Sequence, residues 1–201
     1  MRVDGRWWVR FVHYGPGATA VAVATLLALS TTTANADPVA DPIGPACAYT
    51  TGGRAGAGSV ADAAQQPLAV AVSRIRTLSA LSAALSGKLN PAVNLVDTLN
   101  GGQITAFAPV DNAFSRLPPE ATASLHIDAV RLTQLLTYHV IPGRFSPTNI
   151  DGIHKTLQGG DLSVTGAADH LWVNDALVLC GGITTANATL YLIDTVLTPT
   201  S

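Results

Sequence analysis

Charged side chains are few in this chain: Lys and Arg number 11, Asp and Glu 13, together 12% of the sequence. With no basic excess there is no electrostatic footprint for nucleic acid, and none is expected as a partner. Metal-site spacing is missing as well. His126, His154 and His170 are scattered without an HxxxH or HxH pattern, so no metal is expected. There is no GxSxG elbow. The glycine-rich stretch from Gly52 to Gly58 has no preceding strand and no following Gly-Lys-Ser/Thr, which excludes a phosphate loop. No nucleophile falls in a pattern with a base, so the expectation is a protein that is not an enzyme, with no catalytic residues and no cofactor. The apolar run Ala18–Leu29 is well short of the roughly 20 residues that cross a bilayer, so no stable transmembrane anchor is expected.

What is present begins with the three zones of an export signal. Arg2, Arg6 and Arg10 form a basic end, Ala18–Leu29 an apolar run, and Ala34-Asn35-Ala36 a small-residue cleavage site before Asp37. These predict a secretory signal over 1–36, cleaved after Ala36. Cys47 lies too far beyond the apolar run to be a lipid-modified cysteine. Removing Arg2, Arg6, Arg10 and Asp4 leaves 8 basic residues against 12 acidic ones, a formal charge of about −4. Apolar residues make up 48% of the chain, enough to form a core. The expected organisation is an irregular Pro- and Gly-rich segment over 37–58 and one domain over 59–201. The two cysteines, Cys47 and Cys180, both lie in the exported part, where an even pair suits a disulfide. Two separate buried thiols are the other reading. A bridge of that span would add at most about 5 kcal/mol in the chain-entropy model and would pin the N-terminal coil to a late strand.

The strongest local grammar runs from Gln103 to Phe114. Ile104, Ala106 and Ala108 alternate with Thr105 and Phe107, predicting a strand buried on both faces that stops at Pro109. Asp111 is expected to cap a short helix burying Ala113 and Phe114, ended by Pro118-Pro119. Upstream, Pro67 opens a helix with Leu68, Val72 and Ile75 on one side, and Leu78, Leu81 and Leu85 mark a second that Gly87 terminates. Asp128 caps the clearest helix, with Leu132, Leu135 and Leu136 on its apolar face. Val140-Ile141 leave it extended, and Ser146-Pro147 predicts another short helical start. From Gly152 the period changes to two, with strands near 154–157, 161–165, 171–173, 176–180 and 189–197. Gly159-Gly160 and Asn174-Asp175 are the expected hairpin turns. The fold class is α+β, with helices mainly in the first half packed on a β-sheet wedge or sandwich formed mainly by the second half.

Three blocks in this order resemble fasciclin domains: Thr105–Phe114, the Tyr138-His139 segment from Leu135 to Gly143, and Leu190–Pro199. Gly44–Cys47, Leu89–Asn100 and Cys180–Thr189 further resemble the secreted single-domain mycobacterial members of that family. The resemblance implies one compact fasciclin-like domain, secreted or loosely held at the cell envelope. It implies action by contact, in cell adhesion or in binding an extracellular or host cell-surface or matrix protein. The shared cysteines support a Cys47–Cys180 bridge. The family's tyrosine-histidine pair is implicated in adhesion, which makes Tyr138 and His139 the candidate partner-binding residues. Two positions depart from the family: Val110 replaces a hydroxyl residue, and Gly182-Ile183 stands where animal members carry the acid-isoleucine pair used for integrin recognition.

Spacing argues for a quieter role for the pair. His139 follows Leu135 by four and Leu136 by three, on the apolar face, where a hydrogen-bonded core histidine is expected. Asn187-Ala188-Thr189 fits a glycosylation sequon but falls at a strand edge. The competing function is an extracellular carrier of a small apolar or lipid ligand held between helices and sheet. The domain is expected to be a monomer.

Overall fold

The computed structural model describes residues 42–47, 60–167 and 170–199. The expected leader and most of the 37–58 segment lie outside the described residues. The helical half contains α1 (Val60–Ala63), α2 (Leu68–Arg74), a 3-10 turn (Arg76–Leu78), α3 (Ser79–Leu85) and α4 (Val96–Asn100). Next come β1 (Ile104–Pro109), α5 (Asp111–Ser115), α6 (Pro119–Ile127), α7 (Ala129–Tyr138) and β2 (Val140–Pro142). The remainder is β3 (Gly152–Lys155), β4 (Asp161–Ala167), β5 (His170–Val173), β6 (Ala176–Thr184) and β7 (Ala188–Ile193). All seven strands join one sheet in the order β2-β1-β7-β6-β5-β4-β3. This is the α+β arrangement expected, with helices early and most strands late.

The six residues of β1 are all buried, and so are the six of β7, because the two pair in parallel at the centre and each face meets a different core. Ala106, Ala108, Leu190 and Leu192 face the helices, against Leu68, Val72, Leu81 and Leu132. Phe107, Tyr191 and Ile193 face the opposite way, into a second core with Leu162, Val164, Leu171 and Val173. Strand alternation thus distributes one apolar run between two layers. β6 connects the layers. Its pairing with β7 slips between Val178 and Cys180 and again between Cys180 and Ile183, which bends the strand.

Local expectations hold for α2, α3 and α7: Leu68, Val72, Leu81, Leu85, Leu132, Leu135 and Leu136 are all buried. Asp128 accepts the Arg131 amide at 3.0 Å, capping α7. Four details differ. Asp111 does not cap its own helix, as its carboxylate instead accepts the Ala80 amide at 2.8 Å and the Ser79 hydroxyl at 2.7 Å, capping α3. Pro118-Pro119 does not simply end a helix; Pro119 occupies the first turn of α6. Ser146-Pro147 makes a turn and no helix, closed by the Asn149 amide on the Ser146 carbonyl at 3.0 Å. The last strand ends at Ile193 and not at Leu197, because the Asp194 carboxylate takes the Leu177 amide at 2.9 Å and turns the chain out of the ladder.

Candidate functional site

Tyr138 and His139 end α7, and the amphipathic stripe that positions α7 carries both of them inward. Tyr138 is 1% exposed and His139 3%. The Tyr138 hydroxyl donates to the Asp161 carbonyl at 2.8 Å and accepts from Asn174 Nδ2 at 3.3 Å, joining α7 to the β4 start and the β5–β6 turn. His139 Nδ1 donates to the Leu135 carbonyl at 2.8 Å, and Nε2 accepts the Leu197 amide at 2.9 Å. An amide can only donate, so this pair of bonds selects the neutral Nδ1–H tautomer. Desolvation lowers the imidazole pKa from 6.5 to about 4, and the bond to Leu135 offsets part of that shift. Both side chains are therefore enclosed by the fold in this conformation.

Cys47 and Cys180 form a disulfide across 133 residues. It acts beside a two-residue bridge: the Ile43 amide donates to the Gly181 carbonyl at 2.9 Å, and the Gly181 amide returns the bond at 2.7 Å. The described N-terminal piece, 42–47, is thereby fixed to β6. The bend of β6 also shapes the position of the integrin-type pair. Ile183 is fully buried, and Gly182 has φ +77° with Pro147 packed where a Cβ would go. An acid there would be strained and crowded, so the substitution of that pair is built into the packing. The glycosylation sequon is likewise occupied. Asn187 Nδ2 donates to the Leu99 and Gly102 carbonyls at 2.7 and 3.0 Å, and its Oδ1 accepts the Leu68 amide at 2.9 Å.

Three spaces bear on ligand binding. The gap between helices and sheet, beside His139 and lined by Leu68, Leu81, Ala106 and Leu190, has a volume of 20 Å³. That is room for about one water, for which roughly 10–15 Å³ suffices, and far too little for a lipid chain. A recess of 310 Å³ opens beside Tyr138, between Asp161, Asn174, Asp175 and the segment Thr195–Thr198. A groove of 210 Å³ lies between α3, α5 and α6, lined by Ala83, Leu89, Phe114, Leu117 and Leu125 with His126 at its edge. Among the described residues no three His, Cys, Asp or Glu side chains come together as a metal set.

The sheet has one outward face with exposed apolar side chains. Strand pairing sets Ile153 against Ser163, and Thr165 against Trp172, which pairs in turn with Leu177. Ile153 is 75% exposed and Trp172 43%. The exposed Lys155–Asp161 ion pair, 2.8 Å, lies on the same face. Sequence reasoning did not single these residues out. In Leu171-Trp172-Val173 every residue is apolar, so alternation alone does not tell which one faces water; only the register against Leu162 and Val164 does.

The fasciclin-domain profile matches residues 77–199. The chain is 58% identical over 170 residues to the cell surface glycolipoprotein MPB83 of Mycobacterium bovis, covering 84% of this chain and 77% of that protein. It is 49% identical over 183 residues to the immunogenic protein MPB70 of the same species, covering 90% and 95%. A FAS1 domain pair from the insect cell adhesion molecule fasciclin I shares the fold, with a TM-score of 0.58 at 16% identity. That alignment covers 68% of this chain and 52% of the insect pair, about half its length. Profile, relatives and fold agree, and the chain belongs to the fasciclin-domain family of extracellular proteins.

Proposed function

We propose that the protein acts without catalysis, by contact with an extracellular partner: a host cell-surface or matrix protein bound through the outer face of β3, β4 and β5. The carrying observation is the contrast between a helix-sheet gap of 20 Å³ and an outer sheet face that leaves Ile153 and Trp172 in water. A closed interior has no room for a lipid, whereas exposed aromatic and branched side chains beside polar ones suit a protein interface. Tyr138 and His139 are assigned a supporting role in that binding, holding the α7–β2 corner from beneath. The chain's two cysteines are both in the disulfide, so neither offers a thiol for lipid attachment, which favours a released or loosely held protein. Adhesion and pull-down on matrix and host-cell surfaces test the reading; no partner retained under any condition contradicts it.

The second reading, carriage of a small apolar ligand, is favoured by the open 210 Å³ groove between α3, α5 and α6. Native mass spectrometry of protein purified from its own source separates the two. A bound lipid appears as added mass, and protein of bare chain mass supports contact.

A further inference from the structure

We propose that His139 is an acid-released latch for the C-terminal segment 196–199: a proton from solvent taken up at Nε2 removes the acceptor of the Leu197 amide and frees that segment from the core. The geometry carries this. β7 ends at Ile193, and Asp194 is tied back to Leu177 through its amide and its carboxylate, at 3.1 and 2.9 Å. Beyond that tie, the hydrogen bond recorded to the backbone of 196–199, among the described residues, is the one from Leu197 to His139 Nε2. Val196 and Leu197 are buried, but one packs into the helical core and the other into the sheet core. Among the described residues, 196–199 therefore straddle two layers on apolar contact and a single backbone hydrogen bond.

Protonation turns that bond into a clash of two donors, because Nδ1 already donates to Leu135 and Nε2 then carries its own hydrogen. Among the described residues no neighbouring charge relieves it. The elements packed around the ring present Leu68 and Val72 from α2, Leu81 from α3, Leu99 from α4, Ala106 from β1 and Leu190 from β7, all apolar. The charged groups facing the segment itself are Arg116, 4.0 Å from Asp194, and Asp161 and Asp175 across the 310 Å³ recess. The segment is one wall of that recess, so its release opens the recess and lets the new Nε2–H reach water. The sign follows from the depressed basicity of the buried ring. The closed state holds the neutral imidazole, so the latch is fully closed above pH 6.5 and loosens as pH falls toward about 4. Across that window each pH unit raises the released population by up to about tenfold.

Amide hydrogen exchange on the intact protein, corrected for intrinsic exchange, reads this directly. Protection at Leu197 is expected to drop by up to tenfold per unit from pH 6.5 downward, while amides of β1 and β7 keep theirs. His139→Gln, which retains an acceptor and a donor but does not titrate in this range, should make Leu197 protection independent of pH; pH dependence surviving in it belongs to Asp161, Asp175 or Asp194 and overturns the latch. If that variant does not fold, the wild type alone decides. The NMR titration of the His139 ring must fall near pH 4, where the loss of Leu197 protection levels off. Flat protection at Leu197, a ring still neutral where protection has levelled off, or parallel loss across β1 and β7 overturns the proposal.

Discussion

Asp111 and Asn187 each use one short polar side chain to fix segments far apart in sequence. Asp111 sits at the start of α5 yet caps α3, through Ala80 and Ser79, across more than 30 residues. Asp111→Ala is expected to cost about 1–2 kcal/mol in urea unfolding, as loss of a helix cap does. Ser79→Ala and Asp111→Ala should be non-additive in a double-mutant cycle, since they remove the same bond. Asn187 makes three hydrogen bonds that join α2, α4 and the β1 approach to β7. At about 1 kcal/mol each, Asn187→Ala should cost about 3 kcal/mol, and wild-type protein should carry no glycan there. Sequence reasoning assigned Asp111 to the helix it opens, α5, whereas its carboxylate caps α3. A cap motif is local, and the choice between α5 and α3 is made only when the β1–α5 corner folds back against the 3-10 turn. His139 was better exposed to reasoning, because its three- and four-residue spacing from Leu136 and Leu135 places it on the buried face of α7.

At the scale of elements, what was legible followed periodicity. The stripe of α7 and the alternation of β1 are strong because one or both faces are buried. α6 left no such trace, since only Leu125 of its nine residues is buried, and two prolines before it read as an ending. The last strand was read too long for the opposite reason: Val196 and Leu197 are apolar because they cover two cores, not because they pair. β6 carries the bend that joins the layers, and Gly181 allows it, with the Tyr191 ring occupying the place of a Cβ. Gly181→Ala should destabilise the protein by about 1–3 kcal/mol, as overpacking does, measured by the shift in thermal midpoint. The Gly182-Ile183 departure was visible in the sequence; that Ile183 is buried and Gly182 crowded by Pro147 needed the tertiary structure.

Taken together, the described residues form a two-layer core with residues 42–47 clamped to β6 by Cys47–Cys180 and the Ile43–Gly181 bridge. Reduction, or Cys47→Ser with Cys180→Ser, should lower unfolding stability by about 2–5 kcal/mol, compared between oxidised and reduced protein in denaturant. Such a closed fold presents its chemistry on its outside. The central claim is that Trp172 and Ile153 touch the partner while Tyr138 and His139 hold the frame beneath. Binding isotherms on the retained matrix or cell-surface partner test it most directly, with wild type, Trp172→Ala and Tyr138→Phe compared at matched folding. The account predicts a loss of at least about tenfold for Trp172→Ala, in line with an exposed aromatic anchor, and near wild-type affinity for Tyr138→Phe. Unchanged affinity for Trp172→Ala, or loss of binding in a folded Tyr138→Phe, would contradict it.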